Sequence, residues 1–278
     1  VVLGLQRRPP DRTIRIAVEL ADLLHLELLG LFLEDKSLRD LASRPFAREF
    51  RPLDGSWRPI DIVRISQDIE LAARSAERMF AEATRRLRTR SEFEAVRGPT
   101  AETIASVSRS SDIVMIVEPT SPVERATQQF LWLVEAAFRS AAAVMLVPTR
   151  VARTTGPIAA VAAAPDDPSI HAAAAIAIAA KEELIVLETY GRDSDDTRIG
   201  ELATDTGLTV RRVPAVEQKL SDPAALPQLR ERLVVMARGV FEDDAALMIA
   251  ATRRVPVLVV EPPQAVDANV VARQPTGP

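Results

Sequence analysis

The chain has 278 residues, 47% of them hydrophobic and 27% charged, which is typical of one large or two small globular domains. The formal net charge of −4 gives no reason to expect nucleic acid or a membrane surface as a partner. The sequence has no cysteine, which excludes disulfides, thiol catalysis and cysteine-based zinc sites and favours a cytoplasmic location.

Residues 1–150 are predicted to form a first α/β domain. Short apolar runs without alternation indicate parallel strands that are covered on both faces, and helical spacing of apolar residues separates them. The predicted strands are residues 1–5, 28–33, 93–96, 113–117 and 144–147, and the predicted helices are 14–24, 59–87, 101–108 and one that precedes the last strand. Because Val1 lies inside the first strand, we expect further residues before it. No signal peptide is visible, and no apolar segment reaches the about 20 residues of a membrane span.

An insertion interrupts this domain at about residues 36–59. The pattern predicts a short helix over residues 37–43, followed by an irregular stretch that contains two prolines and a glycine. Three large aromatic residues lie in it, Phe46, Phe50 and Trp57. They either cover the sheet edge or the long helix, or form a lid or a partner-binding surface.

The insertion also carries several charged residues. Its arginines are Arg44, Arg48, Arg51 and Arg58, and its acids include Glu49 and Asp54. The arginines have two possible uses: they pair with the acids, or they receive an anionic ligand.

The strand and helix pattern begins again after a linker at residues 149–157. A second, shorter domain is predicted over residues 151–265, and the tail of residues 266–278 is expected to be flexible. The predicted strands are residues 158–161, 184–187, 208–213, 233–236 and 257–260, and the predicted helices are 168–180, 197–204, 223–230 and 243–253. Gly207 is predicted to end the helix before it.

Two tandem, open, parallel five-stranded sheets with helices on both faces are therefore the predicted fold. Ligands in such sheets bind beyond the carboxyl ends of the strands. This rule predicts that a small-molecule site would lie at the loop of residues 118–125, which follows the strand at Ile113 and contains no glycine.

Three segments resemble the universal stress protein family. They are the helix-to-strand segment of residues 17–34 and the closing segments of residues 141–148 and 254–261. The resemblance implies a Rossmann-like sheet with strand order 3-2-1-4-5, related to adenine nucleotide alpha hydrolases. It also implies a pseudo-dimer in which the halves pair through their last strands, near Val144 and Val257.

ATP-binding members of that family carry an aspartate after the first strand and a glycine pattern after the fourth. Here Gln6 and Arg7 follow the first strand, and residues 118–122 read Glu-Pro-Thr-Ser-Pro. Prolines remove N–H donors, and the bulky residues 130–132 stand where the family has its last glycine. In the second half, acidic residues 242–244 follow Gly239. The site is therefore predicted to be degenerate in both halves, with no cofactor; the alternative is ATP or AMP.

The sequence leaves two hypotheses about function. The first is a non-enzymatic protein of the stress response that acts through an unknown protein partner, self-association or scaffolding. The second is a divergent binder of a nucleotide or another small ligand at the strand ends. The predicted crevice residues are Gln6, Glu118, Thr120, Ser121, Arg125, Gln129, Asp166, Arg238 and Gly239.

No catalytic constellation or metal site is predicted. The chain has two histidines, His25 and His171, and neither has neighbouring acids at metal-ligand spacing. No Gly-x-Ser-x-Gly nucleophile motif occurs. Asp166 and Asp167 follow the first strand of the second half, where the family resemblance would make them equivalent to the ATP-binding aspartate; the alternative is a turn and helix cap before Pro168.

Overall fold

The architecture was obtained as a computed structural model. It describes residues 2–5, 11–34, 40, 43–44, 46–51, 54–85, 90–97, 112–118, 128–140, 143–190, 197–214, 229–239 and 245–261. The strands are β1 Val2–Leu5, β2 Leu28–Glu34, β3 Arg48–Arg51, β4 Ser56–Pro59, β5 Ser91–Arg97, β6 Ile113–Val117, β7 Ala143–Val147, β8 Ile158–Ala162, β9 Leu184–Glu188, β10 Val210–Pro214, β11 Leu233–Ala237 and β12 Val257–Val260. The helices are α1 Asp11–Leu23, α2 Ile62–Thr84, α3 Gln128–Arg139, α4 Pro168–Ala180, α5 Thr197–Thr206 and α6 Ala245–Arg253.

Ten of the described strands form one continuous sheet. Their order is β10-β9-β8-β11-β12-β7-β6-β1-β2-β5. When the strands of each half are numbered along the chain without β3 and β4, the first half (residues 2–147) has the order 3-2-1-4-5, and the second half (residues 158–260) has the same order. The predicted α/β class and the strand order are confirmed, but the two predicted five-stranded sheets are joined into one ten-stranded sheet.

The two halves meet at one antiparallel strand pair. Strand β12 pairs with β7, so that Val144 lies opposite Val259 and Met145 lies opposite Leu258. The other pairings in the ten-stranded sheet are parallel. We call this pair the seam. Because it is antiparallel, the carboxyl ends of the first half's strands lie at one end of the sheet and those of the second half's strands lie at the opposite end; we call these two ends the strand-end edges.

Each face of the sheet is covered by a hydrophobic cluster that includes residues of both halves. One cluster joins side chains of α1, α2, α4 and α5 to the sheet, and the other joins α3 and α6. All five residues of β6, β8, β9 and β11 are buried. Burial on both faces explains why these strands read as continuous apolar runs.

The insertion forms a hairpin, which corrects the sequence-based prediction. An irregular stretch in a helical insertion was expected, but β3 and β4 form a two-stranded antiparallel sheet. Asp54 stabilises its turn: the carboxylate accepts hydrogen bonds from the Ser56 N–H at 3.2 Å and hydroxyl at 2.7 Å. Gly55 holds a positive φ of 63° in that turn.

Helix boundaries follow local capping. The long helix was predicted over residues 59–87, but α2 begins after Asp61, whose carboxylate accepts from the N–H groups of Val63 and Arg64, and ends at Thr84. Gly207 has a φ of 64° directly after α5, as predicted. Other predictions lie outside the described residues: the helices over 101–108 and 223–230 nearly throughout, most of the short helix over 37–43, and the tail.

Candidate functional site

The structure describes four of the nine predicted crevice residues with their side chains, and these four do not form a single site. Gln6, Thr120, Ser121 and Arg125 lie outside the described residues, and Gln129, the second residue of α3, has a side chain that is not described. The other four are Glu118, Asp166, Arg238 and Gly239. Because the seam is antiparallel, Glu118 lies at the opposite edge of the sheet from the other three.

Glu118 continues the pairing of β6 with β7. Its N–H donates to the Val147 carbonyl at 2.9 Å, and its own carbonyl accepts from the Thr149 hydroxyl at 3.0 Å. Its carboxylate lies 3.4 Å from the Thr149 N–H. These contacts give Glu118 a structural role where the first half enters the linker.

An apolar side chain, Phe130, lies in the first turn of α3, where a phosphate-binding helix would present glycine and a hydroxyl group. Phe130 is 5% exposed and packs with Val114, Ile116 and Val134 in one of the two hydrophobic clusters. The side chain of Trp132 is not described. A buried phenylalanine here fills space that an open crevice would need.

Asp167, rather than Asp166, is built into the second half. Asp167 is the N-cap of α4 and accepts from the Ser169 N–H at 2.9 Å and from the Ala163 N–H at 2.8 Å. Pro168 follows as the first helical residue. Asp166 is exposed on the same turn. The turn-and-cap interpretation is the one that the structure supports.

Arg238 connects the two halves. Its Nη1 donates to the Ser140 carbonyl of the first half at 2.9 Å and to the Glu261 carboxylate at 2.7 Å. Gly239 follows in a turn with a φ of 76° and is exposed. The guanidinium therefore has partners within the protein, and a ligand at this edge would have to compete with them.

Sequence reasoning missed a charged cluster at the same edge. Glu188, at the end of β9, is nearly buried and forms an ion pair with Arg212. The Tyr190 hydroxyl lies 3.4 Å from the same Glu188 oxygen. An acid directly after a buried apolar run was the available signal for this position. The pairing tethers β10 to β9.

The hairpin presents aromatic side chains to solvent. Phe46, Phe50 and Trp57 are 92%, 50% and 63% exposed, so none of them belongs to the buried core. Phe50 lies opposite Trp57, and their ring centroids are 5.3 Å apart with planes tilted by 50°. Arg48 and Pro59 are the next exposed pair on that face, since side chains alternate along a strand.

The described residues contain no group of three or more histidine, cysteine or acidic side chains that could hold a metal ion. His25 and His171 are both exposed, as expected for surface residues. No helix in the part of the chain that the structure describes is both long and apolar enough to cross a membrane.

Comparison with solved structures shows the fold of universal stress proteins. A universal stress protein from Archaeoglobus fulgidus DSM 4304 aligns with a TM-score of 0.60 and 14% identity, over 94% of this chain and 96% of that chain. A putative universal stress protein from Pseudomonas aeruginosa UCBPP-PA14 aligns with a TM-score of 0.51 and 16% identity, over 94% and 93% of the two chains.

A functionally unknown protein from Pseudomonas aeruginosa PAO1 aligns with a TM-score of 0.50 and 16% identity, over 94% of this chain and 92% of that one. No protein-family model matches the sequence, and no curated protein matches it. At these identities the likeness establishes the fold alone. The predicted resemblance to universal stress proteins is confirmed at that level.

Proposed function

We propose that this chain is a universal-stress-type tandem protein of the cytoplasm that works by binding a protein partner through its hairpin, without catalysing a reaction. Its two halves act as an intramolecular pseudo-dimer, and neither strand-end site binds ATP. The family resemblance supports a role in the stress response, and the cysteine-free sequence favours a reducing compartment.

The observation that carries this proposal is the exposed aromatic pair of Phe50 and Trp57. Large aromatic side chains that solvent reaches cost solubility, and they are enriched where proteins bind one another. The pair lies outside the ten-stranded sheet, so the fold does not need it for its core. Arg48 on the same face adds a charged donor of the kind found at binding hot spots.

The proposal that ATP is not bound is supported by what occupies the strand ends. Pro119 and Pro122 lack the N–H donors that hold phosphates. Phe130 is buried at the start of α3, and Arg238 already donates to Ser140 and Glu261. A divergent small-ligand site at these edges is the alternative.

Two measurements test the proposal that ATP is not bound. Protein purified from cells and then denatured should release no adenine nucleotide in a mass spectrum, and ATP, ADP or AMP should not raise its melting temperature. A bound nucleotide or a clear thermal shift would overturn the proposal that the site is degenerate and would favour the alternative.

The partner-binding part is tested by cross-linking in cells, comparing the parent protein with a Phe50→Ala, Trp57→Ala variant. The variant should lose its cross-linked partner while its melting temperature stays unchanged, because both rings are largely exposed. Leu71→Ala is the matched control, since Leu71 is a 61% exposed apolar residue on α2. Identical cross-linking by all three proteins contradicts the proposal.

A further inference from the structure

The linker between the halves borders a small apolar slot. Its walls come from both halves, and its cavity volume is about 50 Å³. The lining residues are Ile16, Glu19, Leu20, Leu23, Met145, Val151, Arg153, Thr154, Ile176, Arg232, Leu233 and Pro256. Eight of these twelve side chains are hydrocarbon or thioether groups, so the slot suits a short aliphatic chain.

A wider polar cleft adjoins this slot. It has a volume of about 500 Å³ and is lined by linker residues 152–157 together with Arg230. Slot and cleft share Arg153 and Thr154 as lining residues. They are therefore neighbouring compartments, one apolar and one polar, with Arg153 at their boundary.

The residues that line the two compartments include three arginines and one acidic residue, Glu19. The Arg232 side chain is 13% exposed, and its Nη1 lies 3.0 Å from the Glu19 carboxylate and 2.6 Å from the Thr154 carbonyl. Glu19 is thus paired. The carboxylate of Glu182 also approaches the linker, where it accepts from the Gly156 N–H at 3.1 Å.

Arg153 and Arg230 are the surplus cations. Both are exposed, and neither forms an ion pair with the part of the chain that the structure describes. Arg153 makes one long contact there, 3.5 Å from the Glu231 carbonyl. Their guanidinium groups line a cleft where an incoming anion would find unused donors.

Backbone geometry fixes the wall of the cleft. Gly156 has a φ of 121° and Arg230 a φ of 56°, and a Cβ added at Gly156 would lie 2.7 Å from the Arg230 carbonyl oxygen. Positive φ at a residue other than glycine is costly and is concentrated at binding sites. The linker and Arg230 are thereby held together, with both arginines at one opening.

We propose that slot and cleft together bind a small aliphatic anion. Its short hydrocarbon chain enters the slot, and its carboxylate or phosphate head contacts Arg153 and Arg230. No residue of the hairpin and none of the nine predicted crevice residues lines this site. Because α1 of the first half and α4 of the second both line the slot, the occupant contacts both halves at once.

Amide chemical shifts of the intact chain, titrated with butanoate, test this site. The amides of Thr154, Thr155 and Gly156 should shift in a saturable way. Acetate, which lacks two CH2 groups of the chain, should bind about tenfold more weakly because less apolar surface is buried. Butan-1-ol, which lacks the charge, should bind at least about tenfold more weakly, since one charge-assisted hydrogen bond is worth about that factor. A titration with butyl phosphate identifies the preferred head group. If butyl phosphate binds more tightly than butanoate, the site prefers a phosphate, and if it binds more weakly, the site prefers a carboxylate; either result supports the site.

Variants locate the binding. Arg153→Gln should weaken butanoate binding by about tenfold, and Arg150→Gln, an exposed arginine of the same linker that lines neither compartment, should leave it unchanged. Ile16→Phe fills the slot from a half-buried position and should abolish chain-length preference. Shifts that are absent with both anions, or that are equal in the parent, Arg153→Gln and Ile16→Phe proteins, overturn the proposal.

Discussion

Glu231 and Arg253 form a buried, bidentate ion pair in the second half. Arg253 Nη2 lies 2.9 Å from Glu231 Oε2, and Arg253 Nε donates to the other carboxylate oxygen. The side chains are 1% and 11% exposed. Glu231 precedes β11 and Arg253 ends α6, so the pair fastens this helix beside the sheet.

Breaking this pair from one side should be costly. Arg253→Met leaves the Glu231 carboxylate buried without its partner, and we expect a loss of about 3–5 kcal/mol in the free energy of unfolding. The double variant Glu231→Gln, Arg253→Met should recover much of that loss. Urea unfolding measures both values.

Arg139→Met is the matched control for the ion pair. Arg139 ends α3 as Arg253 ends α6, but its contact with Glu135 is 3.8 Å long and both side chains are largely exposed. We expect a change below about 0.5 kcal/mol. Equal losses at Arg139 and Arg253 would contradict the burial argument.

Gly30 in β2 is required because an aromatic ring lies against it. A Cβ at this position would come within 2.8 Å of the Phe80 ring and 3.1 Å of the Phe93 ring. We expect Gly30→Ala to lower the free energy of unfolding by about 1–3 kcal/mol through overpacking. Thermal unfolding followed by circular dichroism provides the measurement.

Gly200→Ala is the opposite case. Gly200 lies inside α5, and a Cβ there meets no atom of the described structure within 4 Å. Alanine should raise the free energy of unfolding by about 0.5–1 kcal/mol, since glycine weakens a helix interior. An equal loss in the free energy of unfolding for Gly30→Ala and Gly200→Ala would show that the space around each glycine does not determine the effect of the substitution.

The cap of α4 should depend on Asp167 and not on Asp166. Asp167→Ala removes the acceptor for the N–H groups of Ser169 and Ala163, and we expect a loss of about 1–3 kcal/mol. Asp166→Ala, on the exposed side of the turn, should change stability by less than about 0.5 kcal/mol. Denaturant midpoints of the two variants distinguish the residues; the reverse order would contradict this assignment.

The two halves should unfold together. Met145 and Leu258 are buried at the centre of the seam, and each hydrophobic cluster includes residues of both halves. We therefore expect one calorimetric transition, with a van't Hoff enthalpy equal to the calorimetric enthalpy. Two resolved transitions would show that the halves are independent.

Most of the sheet could be predicted because its strands are buried on both faces. The apolar runs at Ile113, Leu184 and Leu233 give a clear pattern without any tertiary information. The hairpin was missed because its prolines suggested irregular structure, although Asp54-Gly55 is a recognised hairpin signal.

The contacts between the halves were beyond sequence reasoning. Arg232 meets Glu19 although 213 positions separate them, and no local pattern encodes such a pair. The slot beside Arg153 is likewise defined by helices from two halves. Hydrophobic periodicity predicts the helices and strands. Which side chains contact one another depends on how these helices and strands are arranged around the seam.

In the part of the chain that the structure describes, the hairpin occurs once, whereas the strand order of the sheet occurs twice. It lies between β2 and α2, whereas eight residues separate β9 from α5, residues 189–196, which leave no room for a second copy. A dimer of identical chains would offer two such surfaces related by symmetry. The proposed partner would instead bind with a stoichiometry of one to one, and the hairpin would give the sheet a single, oriented direction of assembly.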